Sequence, residues 1–266
     1  MPPVVRQTPA VPEVLEVELT RRVAVDLIGR RIEGVERTDD IVVAPGVDDV
    51  VAGSTVESLD RHGKVLVLRT DGPDLALHFG MTGRLLRTGA AAAIERLAYG
   101  AASDHERWDR WTVALDDGSR LRFHDPRRLG RIWLDPVLTA LGPDALTLTR
   151  TDLAAALAGR RAPLKAVLLD QTAVAGLGNM LVDEVLWWAE LDPRRPAGSL
   201  REHEIAALQQ AIRRRLPVML RRGGSHTGTL SPAVRGAGGL CPRDGTPLGR
   251  TVVGGRTTVW CPRHQH

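Results

Sequence analysis

Along the first half of the chain, apolar residues come in short runs broken by Gly, Asp and Pro. Along the second half they recur at helical spacing. The short or alternating runs predict β-strands over residues 63–70 (GKVLVLRT), 74–80 (DLALHFG), 110–125 (RWTVALDDGSRLRFHD) and 130–134 (GRIWL). A helix is predicted to open this β domain, because Val14, Val17, Leu19 and Val23 fall near one face with acids early and arginines late. Residues 87–104 read as a surface insertion, partly helical. From about residue 136, helices are predicted over 149–160, 162–171, 178–191 and 199–223, with Thr149, Asn179 and Ser199 as N-caps. The last forty or so residues, rich in Gly and Pro, cannot hold a core of their own, and such a piece usually needs a metal. The pattern is α+β: a β domain, a helical domain and a stapled tail, with no internal repeat.

Composition narrows this picture. At 266 residues, 43% of them hydrophobic, the chain can build one large or two modest cores. No apolar run approaches the ~18 residues of a membrane span, and residues 1–20 lack the layout of a signal peptide, so no membrane partner is expected and the cytoplasm is the default. Two cysteines, Cys241 and Cys261, argue against a disulfide framework. The net charge of +4 is compatible with a polyanionic partner. Of the 36 basic residues only Lys64 and Lys165 are lysines, leaving 36 − 2 = 34 arginines. Either these two positions need a compact ammonium or they are two leftover lysines.

Candidate chemistry is scattered along the chain. Cys241-Pro-Arg-Asp244 and, sixteen residues later, Cys261-Pro-Arg-His264 outline a two-knuckle zinc hairpin, with Cys241, Asp244, Cys261 and His264 as ligands of one structural Zn2+. The alternative is a hairpin held by packing alone. In HDPRRLG (residues 124–130), Arg127, Arg128 and the apolar Leu129 suit a wedge that grips phosphate and fills a base stack, or a solvated arginine pair at a strand end. HFGMTG (residues 78–83) places Met81 between glycines, as a flexible plug or as core. GLGN (residues 176–179) opens a helix whose N–H groups could seat a phosphate, or is a plain capped turn. Arg256 falls in the turn of the tail hairpin.

In this order, Pro12-Glu13-x-x-Glu16-Val-Glu18, Gly63-Lys64, His78-x-Gly-Met81, Asp125-Pro-Arg127-Arg128, Gly176-x-Gly-Asn179 and the zinc hairpin with its Arg256 turn resemble the formamidopyrimidine-DNA glycosylase / endonuclease VIII family from Pro12 to the C-terminus. The resemblance implies an N-terminal β-sandwich catalytic domain with a flanking helix (residues 11–135), a helix-two-turn-helix DNA-binding domain (136–230) and a zinc-finger β-hairpin (236–266). It implies a monomeric bacterial enzyme of base excision repair that acts on damaged double-stranded DNA, both as glycosylase and as AP lyase. It implies that Pro12, Glu13 and Lys64 form the catalytic group, Lys64 by binding phosphate and Glu16 as a supporting acid. His78, Met81, Arg127, Arg128, Leu129, Lys165, Asn179 and Arg256 are implied to contact DNA, with Met81, Arg127 and Leu129 filling the space of a flipped base.

Where many relatives carry an aromatic the chain has Leu129, where a tyrosine is common it has Leu181, and Leu15 stands where proline is usual. Only sixteen residues separate Gly224 from Cys241, where relatives specialised for 8-oxoguanine carry a longer loop. That leans the substrate towards oxidised pyrimidines, ring-opened purines, abasic sites or bulkier adducts. The implied chemistry needs a free amine on Pro12, which an internal proline lacks. The expectation is that translation starts at a GTG codon for residue 11, that Met removal exposes Pro12, and that residues 1–10 are a non-native or disordered extension. If they are genuine, the alternative is an inactive protein of the same fold that binds damaged or abasic DNA.

Overall fold

The computed structural model describes residues 12–88 and 105–266. The expected 1–10 extension lies outside the described residues, and so does the insertion over 87–104 apart from Arg87 and Thr88. The chain forms two compact units. One holds Pro12 and Glu16–Val137, and the other holds Leu138–His266 together with Glu13–Leu15.

In the first unit, helix α1 (Val14–Val23), from Glu16 onward, and a short helix α2 (Val47–Val51) accompany two four-stranded antiparallel sheets. One sheet has the order β1 (Ile32–Thr38), β6 (Asp109–Leu115), β7 (Arg120–His124), β5 (Arg84–Thr88). The other has the order β2 (Val56–His62), β3 (Val65–Thr70), β4 (Leu75–His78), β8 (Arg131–Leu134). Alternate residues of the two sheets share one core. Leu66, Leu68, Leu75 and Leu77 come from the second, and Trp111, Val113, Leu121 and Phe123 from the first. Period-two alternation sends every other side chain inward, so the pair is a β-sandwich. Each buried Leu, Val or Phe contributes on the order of 2 kcal/mol relative to exposure.

The strands predicted over 63–70, 74–80 and 130–134 are β3, β4 and β8. The run 110–125 is two strands, β6 and β7, split by a turn at Gly118 (φ +76°). Strands β1, β2 and β5 carry no clear apolar run, and all three lie at sheet edges. In β1 (IEGVERT) only Ile32 is buried. An edge strand is held by backbone pairing to one neighbour, so its side chains need little apolar patterning.

The second unit contains α3 (Arg150–Leu157), α4 (Leu164–Leu169), α5 (Asn179–Ala189), α6 (Glu202–Arg222) and the hairpin β9 (Gly249–Val253) and β10 (Arg256–Trp260). Thr149 caps α3 as expected: its hydroxyl accepts the Asp152 N–H at 3.1 Å, and the Asp152 carboxylate accepts the Thr149 N–H. The other two caps are corrected. Gly178 is the N-cap of α5, and Asn179 is its first helical residue. Ser199 closes a 3-10 turn, while α6 starts at Glu202 and the Glu204 carboxylate accepts the Arg201 N–H at 2.8 Å. The hairpin turns on Gly254 and Gly255, at φ +58° and +71°, a two-residue turn that needs left-handed backbone at both positions. Trp187, Leu230, Cys241 and Cys261 form a small core beneath it.

The fold is thus α+β: an N-terminal β-sandwich with a flanking helix, a helical region, and a C-terminal β-hairpin carrying a Cys/His cluster. Among the described residues no helix is long and apolar enough to cross a membrane.

Candidate active site

Glu13 lies just ahead of α1, with 1% of its surface exposed, and its carboxylate sits on the N-terminus of α5. Oε2 accepts the N–H groups of Gly178 (2.9 Å) and Leu181 (3.1 Å), and Oε1 accepts that of Met180 (2.8 Å). Three N–H donors at the positive end of a helix satisfy an ionised carboxylate. The Val14 N–H in turn donates to the Gly176 carbonyl at 3.0 Å. A Cβ on Gly178 would stand 2.3 Å from the Glu13 carboxyl carbon, so this position admits only glycine while the carboxylate stays seated. The phosphate seat expected at GLGN is therefore corrected: those N–H groups already hold Glu13. Asn179 is the first residue of α5, and its buried Oδ1, an acceptor, has no donor partner among the described residues.

In the first unit, Pro12 and Glu16 are buried, and Lys64 follows Gly63 (φ +55°) in the turn joining β2 to β3. His78, at the end of β4, lies opposite Val65. Burial lowers the His78 pKa below the ordinary imidazole value, and the Lys64 ammonium lowers it further, so the ring is neutral at pH 7. Its Nδ1 then accepts the Gly80 N–H at 3.2 Å. One turn along α1, Glu18 is braced by Arg21, Arg22 and Arg61. Burial works to raise its pKa, but the arginine hydrogen bonds win and hold it at about 2. This cluster fastens α1 to β2.

The wedge candidates share one end of the sandwich. Met81 sits in the loop after β4, and Arg127 and Leu129 in the loop after β7. The Arg127 guanidinium lies 3.7 Å from the Met81 sulfur, and Leu129 is 45% exposed. Arg128 stands beside them in left-handed backbone (φ +54°), its Nε 2.8 Å from Asp39.

Lys165 was expected at the DNA, and its placement is a correction. Its side chain is fully buried, with Nζ 2.7 Å from Asp183 Oδ1 and 3.0 Å from the Thr257 carbonyl oxygen. Burial pulls its pKa below the ordinary lysine value, with Asp183 opposing. Asp183 also pairs with Arg235 at 2.6 Å and accepts the Val259 N–H at 3.1 Å. Lys165 therefore ties the hairpin to α5 instead of offering a charge to solvent. Arg256, next to Thr257, is exposed beyond the Gly254–Gly255 turn.

Cys241, Asp244, Cys261 and His264 offer four ligand atoms all within 4.8 Å of one another. The Cys241 sulfur lies 3.8 Å from His264 Nδ1, and the Cys261 sulfur 3.6 Å from Asp244 Oδ2. Tetrahedral ligands ~2.0–2.3 Å from an ion stand roughly 3.3–3.8 Å apart, so this group could hold a metal ion.

Sequence reasoning missed Asp183 as the hub of the buried charges and Asp125 as the organiser of the wedge loop. A signal existed for each. Asp183 is a charge inside the apolar helical run NMLVDEVLWW, a pattern that demands a buried partner. Asp125 heads a Pro-containing loop, where an aspartate commonly accepts the N–H groups that follow it.

Known proteins share both the sequence pattern and the shape. The formamidopyrimidine-DNA glycosylase N-terminal domain pattern matches residues 11–132, and the H2TH domain pattern of the same enzyme matches 141–231. The formamidopyrimidine-DNA glycosylase of Moorella thermoacetica is 37% identical over 271 residues, covering 95% of this chain and 91% of that protein. The Paracoccus denitrificans protein of that name is 38% identical, with 94% and 98% covered. Among solved structures, Lactococcus lactis Fpg in complex with Fapy-dG-containing DNA superposes with a TM-score of 0.81 at 27% identity, over 96% of this chain and 100% of that one. The same enzyme non-covalently bound to AP-site-containing DNA gives 0.81 at 29% identity, over 96% and 99%.

Proposed function

The chain belongs to the formamidopyrimidine-DNA glycosylase family, and from that premise we propose that it is a bifunctional DNA glycosylase and AP lyase of base excision repair, working through a Schiff base on the Pro12 nitrogen. The observation that carries this reading is the Glu13 carboxylate, directly after Pro12 in the chain and held by three N–H groups of α5. The family pattern begins at residue 11, which agrees with a catalytic proline at 12.

The Pro12 amine, with a pKa near 8 when free, has an appreciable unprotonated fraction at neutral pH. Its lone pair attacks C1′ of the damaged nucleotide, and the base departs with the glycosidic electron pair. Glu13 takes the proton of the new ammonium and passes it to O4′ as the sugar ring opens, leaving an iminium between Pro12 and C1′. Proline nitrogen is secondary, so the iminium is permanently cationic and withdraws electrons from C2′. Loss of a C2′ proton expels the 3′ phosphate, a second elimination expels the 5′ phosphate, and water frees the amine. Lys64, Asn179 and Arg256 are proposed to hold backbone phosphates, and Arg128 is proposed to contact the DNA as well. Lys165 serves by holding the turn that carries Arg256. His78, neutral beside Lys64, lines the same strand end. Met81, Arg127 and Leu129 fill the vacated stack, Leu129 stacking less than an aromatic would. The short segment between Gly224 and Cys241 favours oxidised pyrimidines and ring-opened purines as substrates.

The test is covalent trapping. Borohydride reduces an iminium to a stable amine, so duplex DNA with an abasic site should give a shifted protein–DNA band with a chain beginning at Pro12. The full 266-residue chain, with Pro12 inside an amide, should bind the same DNA without trapping. Binding without trapping by both would replace this reading with that of a non-cutting recogniser.

Cys241, Asp244, Cys261 and His264 are proposed to hold one structural zinc; two thiolates, an imidazole and a carboxylate suit that ion, and its role is to fold the hairpin that carries Arg256. Chelation is expected to remove one zinc per chain and to lower duplex affinity at least tenfold. It should also change tryptophan emission, because the Trp187 ring lies 5.4 Å from that of His264. Metal analysis showing no zinc, or a chelated protein that binds DNA unchanged, would remove the zinc from the account.

A further inference from the structure

The wedge candidates come from two loops separated by more than forty residues of sequence, and one buried side chain joins them. Asp125 has no exposed surface. Its Oδ1 accepts the Thr82 hydroxyl and the Arg127 N–H (3.2 Å), and its Oδ2 accepts the N–H groups of Leu129 and Gly130, both at 2.7 Å. Its carbonyl accepts the Arg110 guanidinium at 2.7 Å and the Arg128 N–H at 3.3 Å, and its own N–H donates to the Trp108 carbonyl at 2.9 Å. The loops also touch backbone to backbone: a Cβ on Gly80 (φ +57°) would lie 2.3 Å from the Leu129 carbonyl oxygen. Arg128 is kept in left-handed backbone, a conformation a non-glycine residue holds only when its surroundings impose it.

We propose that Asp125 is a positioning residue that holds Met81, Arg127 and Leu129 as a single preassembled wedge, and that it thereby sets how well the protein stabilises a base flipped from a paired duplex. The inference rests on the glycosylase reading above and names the residue that reading lacks. Its logic is one of preorganisation. Three side chains must enter the stack together when the damaged base leaves, and flexible loops would have to be ordered at that moment. Asp125 removes that requirement because its carboxylate accepts from both loops at once, from Thr82 beside Met81 and from the three amides around Arg127 and Leu129. A carboxylate matches this set because it brings two acceptor oxygens to four donors. An asparagine has one acceptor oxygen, and its NH2 would face donors it cannot satisfy.

The prediction separates two substrates. A damaged base paired in a duplex must be unstacked, whereas an abasic nucleotide has no base to unstack. Thr82→Val removes the hydrogen bond by which Asp125 reaches the Met81 loop and leaves the three amide N–H hydrogen bonds to Asp125 in place; Asp125→Asn disturbs both. Single-turnover excision of a damaged base from duplex DNA should slow by roughly 5–10-fold for Thr82→Val and 30–100-fold for Asp125→Asn, as expected for a loosened constellation. Cleavage at an abasic site should stay within about twofold. A 2-aminopurine next to the lesion, read by binding alone, should show a smaller change in fluorescence with either variant. If excision and abasic cleavage fall together, or if Thr82→Val matches the wild type on both substrates and in fluorescence, Asp125 is only a folding residue and the inference fails. The two readings fail separately. Lack of trapping by the unsubstituted protein ends the glycosylase reading, while the fluorescence comparison still decides whether Asp125 builds the wedge.

Discussion

Alanine in place of Gly178 is expected to slow base excision by about a hundredfold or more, with duplex affinity changed little. Gly178 has ordinary extended backbone (φ −125°, ψ −168°), so no left-handed conformation explains the glycine. What a side chain would meet is Glu13. The added Cβ would lie 2.3 Å from its carboxyl carbon and 2.6 Å from Oε1, well inside contact distance. The helix backbone cannot yield cheaply, so the carboxylate moves and its bonds to Gly178, Met180 and Leu181 break. A displacement of about 1 Å in a group that relays a proton costs on the order of a hundredfold in rate. The lost hydrogen bonds also lower stability, by about 1–3 kcal/mol if the donors stay buried. Single-turnover kinetics with a damaged duplex, alongside a binding titration, separates these effects. Excision within twofold of wild type would mean that the seated carboxylate is not the proton relay, and Glu13 would then be only the cap of α5.

The largest effect on stability is expected from Asp183→Ala. Asp183 is the counter-charge of two buried cations, Lys165 and Arg235, and it also accepts the Val259 N–H. Removing one partner of a buried ion pair leaves an uncompensated charge, which costs about 3–5 kcal/mol. For a unit of this size that corresponds to a drop in melting temperature of roughly 10–20 °C. The loss should show first in the hairpin, because Lys165 holds the Thr257 carbonyl and Asp183 holds the Val259 amide. Hydrogen exchange at Val259 should accelerate more than exchange in the sandwich core. Replacing Lys165 by Met in the same background should recover part of the loss, since an apolar side chain needs no counter-charge. If Asp183→Ala melts within 2 °C of wild type, the buried cluster contributes far less than its geometry implies.

The amino-acid sequence alone determined the elements whose residues repeat locally. The strands β3, β4, β6, β7 and β8 were legible because runs and alternation mark chain that packs on a core, and the helices because apolar residues return every three or four positions. The Cys241, Asp244, Cys261 and His264 set was legible because two short knuckles bring ligands together almost by themselves. The order of short motifs from Pro12 to Arg256 was enough to point to the family.

What the sequence could not carry depends on where the chain travels. Strands β1, β2 and β5 exist because a neighbour offers a row of unpaired backbone groups, and nothing in their own side chains requires it. Glu13 reads as a free acid until α5, some 165 positions away, places three N–H groups against it. Lys165 reads as a surface cation until Asp183, Arg235 and the hairpin close around it. Asp125 reads as the start of a turn until Thr82 arrives from the other loop. Periodicity records what a residue must face, core or water. Only the tertiary structure decides which distant donor satisfies a buried charge, because hydrogen bonds and ion pairs are directional and short, and a partner can come from any point on the chain.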